Sequence, residues 1–416
     1  MEESVFQNYL KSDTLFKKNR DILRPSYIPE NLPHRDYQID QLASILATAL
    51  RGDRPSNVLV FGKTGTGKTA VVKFLGKEIK KSSDEMGTID YIYLNCEVVD
   101  TQYGVLANIG NRFISDWEEQ IPFTGWPTEK VYNMLKEKMD SKMRVAVIIL
   151  DEIDKLVYKS GDDVLYHLSK INDDLTQAKV SIIGISNELK FTEFLDPRIK
   201  SRLGEEKMVF PPYNAEQLRD ILMQRAELAF REGVVEPSVI SLCAALAAQE
   251  HGDARRALEL LRVAGELAER NHEDKVTETY VYKAKNKIEL DCVAEVIRTL
   301  PTQSKLLLFG MILNEEGGRE KLNTGDVFST YKELCKKTGV SVLTQRRITD
   351  LISELDMLGI IHARVISKGR YGRTREITLS VPIMEAKKVL EEDDIIKELY
   401  GQKIKIQATL DYMPRT

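Results

Sequence analysis

Little in this 416-residue chain points out of the cell or into a membrane. Its four cysteines, Cys96, Cys243, Cys292 and Cys335, are scattered without a CxxC pair. That excludes a zinc ribbon or a disulfide framework and suits a reducing compartment. No run of about eighteen apolar residues offers a membrane span. The opening MEESVFQNYLKSD lacks the charged and then apolar order of a secretory signal. A cytoplasmic protein is expected. A strong net charge is missing too: 60 Lys and Arg against 64 Asp and Glu leave −4. Any nucleic-acid binding would therefore need a local basic patch rather than the field of the whole chain. The length excludes one ordinary core and predicts two or three domains.

What is present is concentrated in VLVFGKTGTGKTAVVKFLGKEI, residues 58–79. Residues 58–61 read as a buried strand and an amphipathic run from Lys68 reads as a helix. Gly62-Lys63-Thr64-Gly65-Thr66-Gly67-Lys68-Thr69 joins them, with Ala70 in the first helical turn. This is a phosphate-binding P-loop in the strand–loop–helix context it requires. The three glycines let the backbone wrap tightly enough to aim successive N–H groups at a phosphate, and the helix N-terminus adds its positive end. Lys68 would bridge β- and γ-phosphates, and Thr69 would hold Mg²⁺.

A second apolar run, 144–150, ends in Asp151 and Glu152. A parallel strand buried on both faces delivers such acids to the crevice where ligands sit. Asp151 would orient Mg²⁺ through its water shell, and Glu152 would polarise the attacking water. A further strand, 180–186, ends at Asn187, whose amide can hold that water or a γ-phosphate oxygen. Strands alternating with helices predict an α/β domain with a parallel sheet and helices on both faces, over 25–210, after an N-terminal arm at 1–24. Pro211-Pro212 marks a boundary, and an all-α lid domain is expected over 211–296, its pattern nearly all helical from Asn214 to about Asn286. Gly252 can end one helix there, Asp253 can cap the next, and Arg255 then sits in its first turn, where a cation opposes the helix dipole. A triphosphate would want that charge.

Residues 297–416 carry three short helical patterns, at 306–313, 324–338 and 344–358, and two strands, at 360–366 and 374–381. Three helices and a hairpin predict a winged helix. Its third helix would offer Thr344, Gln345, Arg346 and Arg347 to a major groove. The hairpin would offer Arg364, Lys368, Gly369, Arg370, Tyr371 and Arg373 to a phosphate backbone, with Arg375 beside them and no acid among 363–375. On a mildly acidic protein this basic cluster points to duplex DNA.

Together these motifs resemble the archaeal replication initiators related to the largest subunit of the eukaryotic origin recognition complex and to its helicase-loading partner, a clade of the AAA+ ATPases. The likeness spans nearly the whole chain. It makes Ile28-Pro29 and the following residues to His34-Arg35 a base-covering box, Asn187 and Arg255 the two nucleotide sensors, and Arg202 an arginine finger offered in trans to a neighbouring subunit. Arg198 is the less favoured finger, and Arg256 could share the sensor role. Tyr213 becomes a packing partner for adenine and Arg225 a lid residue facing the nucleotide. Residues 96–126, read as a long helical insertion carrying Tyr103, Asn108, Asn111 and Arg112, sit where the family has a segment that can touch DNA; packing anchored by Phe113 and Trp117 is the competing reading. The resemblance implies ATP or ADP with Mg²⁺, origin DNA, other initiator subunits and a replicative helicase as partners, and a slow, switch-like ATPase associated with the nucleoid. An adaptor or helicase loader whose winged helix docks a protein, and a clamp-loader-like subunit, stay open.

Overall fold

The computed structural model describes residues 14–17, 19–86, 89–319, 321–367 and 373–399. The chain divides into two compact units, 1–284 and 285–416.

In the first unit β1 (Val58–Phe61), β2 (Ile89–Asn95), β3 (Arg144–Asp151), β4 (Ala178–Ser186) and β5 (Glu206–Val209) form one sheet in the order β2-β3-β4-β1-β5. Every pairing is parallel. Alternate residues of a strand point to opposite faces, and here both faces are apolar. Leu59, Phe61, Ala146, Ile148 and Leu150 enter a core closed by the helices Gln102–Gly110, Thr128–Met139, Ile153–Ser160 and Asp163–Asp174. Val58, Val60, Val147, Ile149 and Ile183 enter a second core under Asp36–Leu50 and Lys68–Met86. This two-sided burial is why β3 reads as a continuous apolar run instead of alternating. β1 lies between β4 and β5, so the loop that follows it opens at the carboxyl ends of the central strands, where α/β sheets form their ligand crevice.

The helices Ala215–Ala229, Pro237–Gln249 and Ala254–Arg270 pack together beyond β5. The first starts with a reciprocal capping box between Asn214 and Gln217. The described part of the N-terminal arm joins them: Phe16 bridges Phe230 in an antiparallel pair, with the rings 4.5 Å apart. Gly265 lies beneath, where a Cβ would come within 2.6 Å of Phe230 and 2.7 Å of Phe16.

Residues 96–126 do not form the long helix expected. The helix ends at Gly110, and Asn111 turns the chain back by pairing both ways with the backbone of Ile121, at 2.7 and 3.0 Å. Phe113 packs on the core beneath the Arg144 guanidinium, but Trp117 stands in a single 3-10 turn and is 77% exposed, so it is no anchor among the described residues. Tyr103 and Asn111 are committed to the backbone of this segment, to Pro122 and Ile121, and Asn108 to Gly104 of its own helix.

In the second unit the helices Thr302–Glu316, Thr324–Thr338 and Gln345–Met357 surround one core with β6 (Leu322–Asn323), β7 (Ile361–Ser367) and β8 (Arg373–Leu379), an antiparallel sheet in the order β6-β8-β7. This is a winged helix. A helix at Glu278–Thr299 contains the boundary between the units, because neither glycine nor proline interrupts that stretch. The sequence pattern had ended the helical region near residue 286 and begun the last domain near 297.

Candidate functional site

The loop after β1 is held by its own charges. Lys68 is 6% exposed, and its Nζ donates to the carbonyls of Gly62 and Lys63 and to Asn187 Oδ1, at 2.7, 2.8 and 2.9 Å. The ring of acceptors places the ammonium where an anion above the loop would meet it. Burial pushes its pKa down to about 8; Asp151 opposes that shift and Arg255 adds to it. Gly65 and Gly67 have φ of +74° and +89°, a conformation glycine adopts without strain. A Cβ on Gly62 would lie 2.6 Å from the Phe210 carbonyl, so that glycine admits the residue that follows β5.

Asp151 ends β3 opposite Asn95 of β2. Its Oδ2 accepts from Thr69 Oγ1 at 2.8 Å and from Tyr93 Oη at 2.6 Å. Tyr93 was not expected in the site. Its signal was only a place near the end of β2, and the sheet order alone makes that strand a neighbour of Asp151. Glu152 holds a left-handed φ of +56°, a costly conformation for a non-glycine residue that is often found at functional sites. Burial, then Glu97 and Asp151, raise its pKa, which moves a carboxylate toward the range of a general base.

The opposite wall comes from the helical layer. The Gly252–Arg255 turn touches the P-loop directly: Ala254 N donates to Gly65 O at 3.2 Å, and a Cβ on Gly65 would fall 1.7 Å from Asp253 Oδ1. That same carboxylate caps the backbone N–H of Arg255 at 2.7 Å. One pocket runs between these walls. Gly65 to Ala70, Asp151, Glu152, Asn187 and Arg255 line it toward the P-loop, and Ile28, Pro29, Tyr213 and Arg225 also contribute.

Several expected ligands stand behind the lining or turn their polar atoms to the protein's own backbone. Arg35 is 2% exposed; it donates to the carbonyls of Thr66, His34 and Pro211 and lies 3.8 Å over the Tyr213 ring. It fastens the box, the P-loop and the entry to the helical layer together. His34 meets Asp220 at 2.9 Å. Arg225 spends its guanidinium on the carbonyls of Ile22 and Tyr27, at 3.0 and 3.3 Å. Lys63 and Thr64 are exposed outside the lining. Arg256 is held by Glu250 at 3.0 Å, Arg198 pairs with Asp196, and Arg202 pairs with Asp173 at 2.9 Å; none of the three lines this pocket.

The residues fit a nucleotide with a magnesium ion. Among the described residues no cluster of three or more His, Cys, Asp or Glu could cage a metal. The Thr69 hydroxyl and Asp151 carboxylate, already paired, suit an ion that keeps most of its water and leans on phosphate oxygens.

In the second unit Ile348, Leu351, Ile352 and Leu355 seat the third helix, leaving Thr344, Gln345, Arg346 and Arg347 exposed at its start. Arg347 reaches Glu354 at 3.3 Å, while Arg346 pairs with no described acid. On the strands the basic cluster is less free than its composition suggests. Glu376, one residue past the acid-free stretch, binds Arg364 Nε at 2.9 Å. Arg375 turns inward to Ser353 Oγ at 2.8 Å, tying β8 to the third helix. Arg373 opens β8, and the expected contacts at Lys368, Gly369, Arg370 and Tyr371 lie outside the described residues.

Three family models match in succession: the AAA family of ATPases associated with various cellular activities over 58–210, the Cdc6 AAA+ ATPase-type lid domain over 219–286, and the CDC6 C-terminal winged helix domain over 295–389. The ORC1-type DNA replication protein 1 of Methanosarcina mazei is 57% identical over 407 residues, 97% of each chain. The ORC1-type DNA replication protein of Thermococcus onnurineus is 58% identical over 392 residues, 94% of each. Among solved structures, the Aeropyrum pernix ORC1 protein in complex with DNA is 46% identical with a TM-score of 0.79, over 93% of this chain and 100% of that one.

Proposed function

This chain belongs to the ORC1/Cdc6 family of AAA+ DNA replication proteins, a family whose ATPase fold implies nucleotide binding, and from that premise we propose that it is an ATP-regulated initiator that grips duplex origin DNA and helps recruit the replicative helicase. The observation that carries the regulatory part is the meeting of the Gly252–Arg255 turn with the P-loop across one pocket. Lys68 on the sheet side and Arg255 on the helical side both face the phosphate end. Loss of a γ-phosphate removes the ligand they share, and the lid formed by the helices of 211–296 is then free to reset its angle to the 25–210 domain.

Within the site Lys68 neutralises phosphate charge, and Thr69 and Asp151 would hold a magnesium ion, which when bound would supply further charge neutralisation to the phosphates. Glu152 takes the proton of the attacking water, and Asn187 orients that water. Arg202 acts on the site of a neighbouring subunit, so an isolated monomer turns over slowly. The 297–416 domain reads duplex DNA, its third helix in the major groove and its wing on the backbone. The structure of the related Aeropyrum pernix ORC1 protein in complex with DNA supports that reading.

The test is equilibrium binding to a duplex from the source genome's origin and to a scrambled duplex, across salt, with ADP and with a non-hydrolysable ATP analogue. The initiator reading expects the origin duplex to win by about a thousandfold or more. Equal and weak binding of both duplexes would make the winged helix a protein dock instead.

A further inference from the structure

One arginine of the wing turns inward. Arg375 lies in β8, two residues beyond its start at Arg373 and opposite Val365 of β7. Alternate residues of a strand share a face, and the next on this face, Ile377, is fully buried in the core of the second unit. Arg375 therefore stands where the inward face of the strand runs out beyond that core. Its Nη1 donates to Ser353 Oγ at 2.8 Å and to the Thr349 carbonyl at 3.2 Å, both on the third helix, Gln345–Met357. These acceptors are themselves set: Ser353 Oγ donates to the same Thr349 carbonyl at 3.0 Å, and Thr349 Oγ1 to the Gln345 carbonyl at 3.0 Å. A second tie lies near the other end of this helix, where Asp356 Oδ1 accepts from Ala363 N of β7 at 3.0 Å. The hairpin is thus fixed to the helix at two levels, near its base by Asp356 and toward its tip by Arg375.

We propose that Arg375 is a positioning residue for DNA recognition: it holds the wing at a fixed span from the third helix, so that base edges and phosphates are met in one register. The assignment rests on the DNA reading above and deepens it, because it gives one basic side chain of the wing a task other than neutralising phosphate. Contacts to phosphate place a protein on the duplex, and contacts to base edges read it. A helix in the major groove and a wing on the backbone do both at once only if the span between them matches the duplex. A loose hairpin would have to be ordered on binding, and a preset one avoids that loss. Arginine suits the task, since its weakly hydrated, delocalised charge can rest against a helix carbonyl and a hydroxyl. A scrambled duplex is held through its phosphates alone and gains little from the exact register, so a loosened brace weakens the origin duplex more.

The experiment uses the full chain and fluorescence anisotropy with a duplex from the source genome's origin and a scrambled duplex, across salt and well below the melting temperature of each variant. Arg375→Ala is expected to lower the ratio of origin to scrambled affinity by about fivefold, the readout of roughly one base pair, while leaving the slope of log affinity against log salt nearly unchanged. Ser353→Ala changes no charge and suits a helix. It should lower the ratio in the same direction by a smaller factor, and the double variant should lose no more than Arg375→Ala alone, because both act through one link. If Arg375→Ala lowers the slope by about one and weakens both duplexes alike, Arg375 is a phosphate contact and its positioning role is overturned. That role is overturned as well if either single variant keeps the wild-type ratio, or if the two losses add in full. In each of these cases the DNA reading stands, provided that wild type prefers the origin duplex. If wild type binds both duplexes equally and weakly, the DNA reading fails and the role of Arg375 fails with it.

Discussion

The pocket over the P-loop and the basic face of the winged helix are both built from cationic side chains, but they hold them in opposite ways. At the pocket, Lys68 in the lining and Arg35 behind it are buried, and each is fixed by three acceptors, mostly backbone carbonyls. On the winged helix Arg347 and Arg364 are more than half exposed, and each leans on an acid that solvent also reaches. Burial makes a partner obligatory because an unpaired charge in a dry site is costly. Exposure makes the partner optional, and such pairs are worth about 0–1 kcal/mol. Charge in the pocket is a matter of position. Charge on the winged helix is a matter of balance.

The largest effect should come from removing the charge at the pocket's centre. Lys68→Ala is expected to lower nucleotide affinity by about a hundredfold or more, since truncating one side of a buried charge pair costs roughly 2–5 kcal/mol. Titration calorimetry with ADP and Mg²⁺ measures it, and a loss below about fivefold would show that the ammonium is dispensable. Gly65→Ala tests position without touching charge. The new Cβ would need a left-handed φ, and it would displace the Asp253 carboxylate that caps the helix starting at Ala254. Strain and a lost cap together amount to about 2–3 kcal/mol. We expect a lower melting temperature and roughly tenfold weaker nucleotide binding; an unchanged melt and affinity would mean that the turn and the P-loop do not need to touch.

A pH series sharpens the same contrast. Lys68 is held below its ordinary 10.5, at about 8, by burial. A bound polyphosphate favours the protonated amine and raises that value, so above pH 8 binding must take up a proton. Affinity is expected to be flat below pH 8 and to fall above it, approaching tenfold per pH unit. Lys68→Arg keeps its charge throughout and should give a weaker but level profile between pH 7 and 9. A level profile in the wild type would remove the lysine from the linkage. Exposed arginines on the winged helix predict no comparable inflection in DNA binding.

These differences also govern what was legible beforehand. The P-loop, Asp151, Glu152 and Asn187 could be read because each sits at a strand end, where sheet geometry requires a particular residue type in sequence. Tyr93 could not. It reaches the site only because β2 lies beside β3, and nothing in its local pattern carries that long-range pairing. The charges of Arg35 and Arg225 were visible in the sequence, but the carbonyls of Thr66, His34, Pro211, Ile22 and Tyr27 that they bind were not. The winged helix was legible as a fold, since Ile348, Leu351, Ile352 and Leu355 mark a buried stripe at helical spacing. Its two-residue β6 was too short to show a period. Trp117 misled for a related reason: apolar character suggested an anchor, but the turn made by Asn111 leaves it facing solvent.

The smallest expected effects lie on the winged helix, and they decide whether balance is the right description of its charge. Counting arginines makes Arg346 and Arg364 equivalent. The structure separates them, because Glu376 holds Arg364 and approaches Lys321 as well, at 3.7 Å. The Arg364 guanidinium beside it keeps the Glu376 carboxyl below its usual pKa, so it stays ionised at neutral pH and remains a standing negative charge on the face proposed to meet DNA. Arg346→Ala should therefore weaken duplex binding several-fold and reduce the salt slope by about one. Arg364→Ala should cost less than that, since part of its charge is already compensated. Glu376→Gln should strengthen binding a few-fold at low salt, with the gain fading as screening increases. Fluorescence anisotropy across a salt series reads all three. If Arg364→Ala costs as much as Arg346→Ala and Glu376→Gln gains nothing, the acid yields Arg364 to DNA without penalty, and the ion pair seen in the free protein has no bearing on binding.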